Sequence, residues 1–262
     1  MRNFGRISTG RRERLLEQIR ANEFVRVPEL ATFLRVSEIT VRRDLDELAE
    51  QGLIERFHGG ARLLAQPQRT AGAPLTAAAE QSKTIIAAAA AKFVRPGNTV
   101  LLSGGTTTLA VFRAIAHMDI RIVTNNAMII GELDGGANAE LFVLGGEYNR
   151  KTRALNGDLT NLTLNEIHGD ICFLGTNAIS QKNGLTSSIY AASIVNRLMA
   201  NQCNDNVVVV AEASKIGATA NFVSLPLARV HTLITDSAAD PAELAAYRAG
   251  GMEVVLCGDA AP

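Results

Sequence analysis

The chain has 262 residues, enough for one large domain or for a small one followed by a medium one, and its 26 Lys and Arg cancel its 26 Asp and Glu. A net charge of zero excludes a global basic field, so any affinity for nucleic acid must come from where the cations are placed. The 3 cysteines, Cys172, Cys203 and Cys257, are widely spaced with no Cys-x-x-Cys; this predicts buried, reduced thiols in a cytosolic protein, not a disulfide framework or a metal site.

The N-terminal stretch is rich in arginine (Arg2, Arg6, Arg11, Arg12, Arg14, Arg20), but no apolar core segment follows, so no secretory leader is expected. Arg14 to Ala21 reads as a helix with Leu15, Leu16 and Ile19 inward. Val27 to Leu34 reads as a second helix, with Pro28 near its first turn, where a missing N–H costs little. Arg35-Val36 is a tight link to a third helix, for which Ser37 is a good N-cap. Val41, Leu45 and Leu48 recur at helical spacing and form its buried stripe. At about 100° per residue, Arg43 projects almost opposite that stripe. Ile39 and Asp46 lie beside it, and Thr40 and Arg42 fall on the flanks. Arginine can read guanine bidentately in the major groove, and threonine can reach a base edge or a methyl. Arg42 is better placed for phosphate.

Gly59-Gly60 permits a two-residue hairpin turn, flanked by Arg56 and Arg62. Three helices followed by a hairpin make a winged helix-turn-helix, whose partner is double-stranded DNA. The candidate DNA contacts are Ser37, Glu38, Thr40, Arg42, Arg43, Arg56, His58 and Arg62. A solvated helix face, with Asp44, Asp46, Glu47 and Glu50 as partners, is the competing account of Arg42 and Arg43; the complete three-helix context favours DNA. His58 is read as a backbone or phosphate contact, with no case for a metal. The string Leu34, Val36-Ser37-Glu38, Thr40-Val41-Arg42-Arg43-Asp44-Leu45, Leu48, Gly52, Arg56 and His58-Gly59-Gly60-Ala61 resembles the DNA-binding domain of the DeoR family of bacterial regulators.

From Ala65 to about Thr76 the composition shifts to Ala, Gln, Pro and Gly with no apolar period. The expected organisation is therefore residues 1–64 for the DNA-binding head, 65–78 for a linker and 79–262 for a second domain. Glu80 to Val94 reads as an alanine-rich helix, with too few apolar residues in a row to cross a bilayer, so no membrane partner is expected. Strand-like runs then alternate with helical ones: Thr99–Leu102, Ile120–Thr124, Leu141–Leu144, Ile171–Leu174, Val207–Val210, Thr232–Ile234 and Met252–Leu256. Such alternation predicts an α/β domain with a mostly parallel sheet covered on both faces. Ligands in such sheets bind beyond the carboxyl ends of the strands.

Those ends carry Gly104-Gly105-Thr106-Thr107-Thr108, Asn125, Glu147, Asn177, Lys215 and Asp236. Glycines let the backbone approach an anion, hydroxyls can donate to it, and the following helix N-terminus favours negative charge. The loop lacks the Gly-Lys-Ser/Thr of a nucleotide-hydrolysing loop. The plainer account of it is a polar strand-to-helix turn with a capping threonine.

Lys83 through Ile115 resembles the opening of the ribose-5-phosphate isomerase fold, which the DeoR sensor domain shares. The resemblance implies a transcriptional regulator, most simply a repressor of a carbohydrate operon, acting as a homodimer or homotetramer without a cofactor. Its effector would be a phosphorylated sugar or polyol. Lys83 and Thr106 to Thr108 would hold the phosphate; Asn125, Glu147, Asn177, Lys215 and Asp236 would meet hydroxyls or one another. Two departures stand out. The loop after the fourth strand, Gly175-Thr176-Asn177-Ala178, has no carboxylate where the isomerases carry paired acids. Proton abstraction needs a positioned base, so an isomerase fused to a DNA-binding head is the disfavoured alternative. Glu212 stands where aspartate is common in the family, and either shifts ligand choice or makes a different structural hydrogen bond.

Overall fold

The computed structural model describes residues 15, 18–19, 25–50, 54–57, 60–63, 77–132, 137–203 and 206–258, with the backbone alone at 50, 55–57, 62–63 and 77. The chain forms two compact units, Met1–Arg69 and Thr70–Pro262.

In the first unit, Leu15, Gln18 and Ile19 have helical backbone, and Leu15 and Ile19 are buried; Leu16 lies outside the described residues. Helix α1 (Val27–Leu34) begins with Pro28 in its first turn, and Glu29 accepts a bond from the Arg26 N–H. It ends at Arg35 in the left-handed conformation, and Val36 N donates to Ala31 O. Helix α2 (Glu38–Glu50) follows directly. Val41, Leu45 and Leu48 are buried with Leu15, Ile19, Val27 and Leu30 in one small core. The wing pairs β2 (Ile54–Phe57) with β3 (Gly60–Leu63), and β1 (Val25–Arg26) adds a third strand on the far side of β3. Gly60 does not form the turn as expected: it is a strand residue paired with Phe57, which leaves His58 and Gly59 between the strands. Those two residues, like the linker up to residue 76, lie outside the described residues.

The second unit opens with α3 (Ala77–Ala91), three residues earlier than the apolar pattern suggested. It ends in tighter bonds from Lys92, Phe93 and Val94 back three residues, before Pro96 stops the chain from continuing. Seven parallel strands make the main sheet: β4 (Thr99–Leu102), β5 (Arg121–Thr124), β6 (Glu140–Val143), β9 (Ile171–Gly175), β12 (Val207–Val210), β14 (Thr232–Asp236) and β15 (Glu253–Cys257). Their spatial order is β15-β14-β12-β9-β4-β5-β6. The order reverses between β4 and β9, so the chain runs outward one way from β4 and the other way from β9.

Alternate residues of each strand serve two cores. Val100, Leu102, Ile122, Phe173, Val208 and Ile234 pack under α3 and α4 (Thr106–Ile115). Leu101, Val123, Cys172, Leu174, Val209 and Leu233 pack under α5 (Asp158–Asn165), α6 (Tyr190–Gln202) and α7 (Pro241–Ala249). Burial on both faces is why these strands read as unbroken apolar runs.

Two smaller sheets carry no such signal. The hairpin β7 (Glu147–Asn149) and β8 (Ala154–Asn156) is short and polar. The antiparallel sheet β10 (Ala178–Ser180), β11 (Gly184–Ser187) and β13 (Phe222–Leu225) follows the fourth strand of the main sheet.

Candidate functional site

On α2, Ser37 caps the helix: its Oγ accepts from Thr40 N at 3.2 Å and lies 2.9 Å from Thr40 Oγ1. Both hydroxyls are thereby engaged with each other. Arg42 is ion-paired to Glu38 one turn back, N to O 3.3 Å, whereas Arg43 makes no ion pair among the described residues. Arg42, Arg43 and Ile39 are exposed and the opposite stripe is buried, so the helix presents one free face. The side chains of Arg56 and Arg62, on the wing strands, and all of His58 lie outside the described residues.

In the second unit, parallel pairing brings all seven carboxyl ends to one edge. The glycine–threonine loop leaves β4 at the switch point and is locked to the end of β9. Ser103 N donates to Phe173 O, and Gly175 N donates to Ser103 Oγ at 3.0 Å. A Cβ on Gly175 would stand 3.3 Å from Gly104 O and 3.5 Å from Thr108 Cγ2, so the two loops touch through missing side chains. Gly105 has φ 142 and precedes the first turn of α4, whose leading amides have no partner within the helix. Thr108 is fully buried and donates to Ser103 O at 2.6 Å and to Gly105 O at 3.0 Å. Its hydroxyl proton shapes the loop instead of facing a ligand. Thr106 and Thr107 are half-buried at the helix start.

Asn125 follows β5 and is buried beside Gly104. Its Nδ2 donates to Leu155 O at 2.9 Å, while its Oδ1 has no partner. Buried polar atoms are nearly always satisfied, so this oxygen marks a place for a donor. The hairpin β7–β8 roofs the loop. Leu155 N donates to Asn125 O, Ala127 N donates to Arg153 O, and Ala154 Cβ lies 3.0 Å from where a Cβ on Gly104 would stand. Sequence reasoning missed this roof, because strands of three residues leave no periodic trace.

The remaining candidates are placed as follows. Glu147 is exposed on β7, with its carboxyl carbon 3.7 Å from the Cβ position of Gly157, the residue before α5. Asn177 Oδ1 accepts three bonds, from Ser187 Oγ, Ser188 N and Ser188 Oγ. Asp236 accepts from Ala213 N and Ala238 N, and so fixes the turn that carries Glu212 and Lys215. Lys83 is buried on α3 with its ammonium 3.4 Å from Glu212 and 3.3 Å from Glu80. The lysine expected to face phosphate thus lies between two carboxylates, one of them Glu212. Among the described residues there is no group of three or more potential metal ligands, and no helix long and apolar enough to cross a membrane.

Comparison with known proteins matches residues 11–67 to the DeoR-like helix-turn-helix domain and residues 78–237 to the DeoR C terminal sensor domain. The transcriptional repressor AccR of Agrobacterium fabrum is 32% identical over 87% of this chain and 89% of its own. The HTH-type transcriptional regulator GlpR of Haloferax volcanii is 32% identical over 94% and 96%, and the HTH-type transcriptional repressor CsqR of Escherichia coli is 30% identical over 94% and 94%. Among solved structures, the ribose 5-phosphate isomerase A of Methanocaldococcus jannaschii aligns with 52% of this chain and 54% of its own. Its TM-score of 0.38 and 17% identity carry nothing about function.

Proposed function

Since the chain belongs to the DeoR family of transcriptional regulators, we propose that it represses a carbohydrate-use operon and releases its operator DNA when a phosphorylated sugar or polyol binds the sensor domain. The observation that carries the sensor half is Asn125 Oδ1, buried and unpartnered against Gly104 at the switch point of the sheet. A sugar hydroxyl is the donor it lacks. The phosphate lies at the first turn of α4, where free amides and the helix dipole favour an anion, with Thr106 and Thr107 beside it. Lys83 supplies charge only in competition with Glu212 and Glu80. The repressing sense follows the printed names of AccR and CsqR.

Acid–base catalysis finds no support in the loop after β9. The oxygen of Asn177 is occupied by three donors, and an amide is not a proton acceptor at neutral pH. The protein therefore acts as a binding switch: ligand preference for one arrangement of the DNA heads changes DNA affinity by linkage.

The test is a gel-shift assay of the purified chain on DNA from its own promoter region, at low salt, against a panel of triose, pentose, hexose and polyol phosphates. One phosphate ester is expected to release the DNA, and its unphosphorylated parent is not. Retention of the complex with every ester would refute the sensor reading. Failure to bind any DNA would refute the regulator reading. Thr107→Ala is the cleaner probe of the cradle, because Lys83→Ala also breaks the ion pair with Glu212.

A further inference from the structure

Ile39 is 70% exposed, the highest value among the large apolar side chains described. Single exposed apolar residues are common on surfaces and need no explanation by themselves. The surroundings of this one are the informative part. It stands in the first turn of α2, one helical turn before Arg43 and on the face opposite Val41, Leu45 and Leu48. Of the polar side chains flanking it in the first turns, Ser37 is engaged with Thr40 and Glu38 with Arg42, whereas Arg43 makes no ion pair among the described residues. The exposed face at the start of the helix therefore carries an arginine outside any ion pair among the described residues and a β-branched hydrocarbon. Isoleucine is a poorer helix former than alanine, leucine or lysine, so helix propensity does not account for it.

We propose that Ile39 reads a thymine in the operator, packing on its C5-methyl group, while Arg43 reads a guanine beside it. The methyl is the one apolar feature on a base-pair edge in the major groove. Residues four apart on a helix are separated by about 6 Å along its axis, and base pairs by about 3.4 Å. Thymine and guanine thus lie within about two base pairs of each other in each half-site. This inference rests on the DNA-reading function proposed above.

The experiment selects tight-binding duplexes from a random double-stranded pool with the full chain. Each thymine of the consensus is then replaced by deoxyuridine, which lacks only the methyl. One replacement per half-site is expected to weaken the wild-type protein about fourfold, the worth of one buried carbon. Ile39→Ala is expected to bind the thymine and deoxyuridine duplexes equally, and Ile39→Val to keep part of the preference. Circular dichroism checks that both variants stay folded, as a substitution at an exposed position should. Insensitivity of the wild type to every replacement overturns the proposal, as does an undiminished preference in Ile39→Ala. Both results leave DNA binding itself standing. A pool that yields no bound duplex at all instead refutes the DNA-reading function, and this inference with it.

Discussion

Arg42 directs its guanidinium at Glu38, whereas Arg43, the next residue, makes no ion pair among the described residues and points from the face opposite the buried stripe. Arg43→Ala is therefore expected to weaken specific operator binding by about 10- to 100-fold, the range for a bidentate guanine contact. Arg42→Ala is expected to cost less and to act on all sequences alike. Titration of specific and scrambled duplexes separates the two, and the reverse ranking would mean that the helix is rotated differently in the groove. The cap and stripe of α2 were legible because they obey local spacing. The environment of Lys83 was not, because Glu212 lies far along the chain and only the folded sheet brings it near. Removing Lys83 takes from the largely buried Glu212 carboxylate the ammonium that lies 3.4 Å from it. Lys83→Ala is expected to cost about 3 kcal/mol of stability in urea unfolding, and Glu212→Gln in the same chain to restore part of it. No recovery in the double variant would show that the pair is not coupled.

At the scale of elements, the seven main strands were visible in the sequence as unbroken runs such as Val207–Val210. In the five inner strands, burial on both faces leaves no alternation to misread. The hairpin β7–β8 and the sheet of β10, β11 and β13 were not visible, since strands of three or four residues with mixed side chains look like loops. Both are held by tertiary contacts: Gly184, at φ 65, lies directly under the Leu225 carbonyl, where no side chain fits. Helix α4 is tied to the turn after β5 by Arg113 and Glu132, with bonds of 2.7 and 2.9 Å. The hydrogen bond from Arg113 holds the Glu132 carboxyl below its ordinary value. A lowered carboxylate pKa gives stability that is present above the unfolded value and is lost as pH falls through the folded one. Both side chains are partly exposed, so the contribution is on the order of a few tenths of a kcal/mol. The stability gap between wild type and Glu132→Gln should be measurable at neutral pH and close in acid; a gap that persists at pH 2 would assign it to packing.

On the scale of the whole molecule, the two units have separate cores. A chain beginning at residue 77 is expected to unfold cooperatively on its own, at the denaturant midpoint of the second unit in the full protein. A gradual, non-cooperative transition would mean that the division is wrong. With net charge zero, tight operator binding calls for two heads on one DNA, as expected of a homodimer or homotetramer. The switch point between β4 and β9 also sets an order of events during synthesis. Those neighbouring strands are far apart in the chain, with β5, β6 and the hairpin between them. Their pairing closes a long loop, which makes the centre of the sheet slow to form. The head is translated first and needs only local contacts. A newly made copy thus completes its helix-turn-helix head before the sheet that carries the candidate effector site has closed.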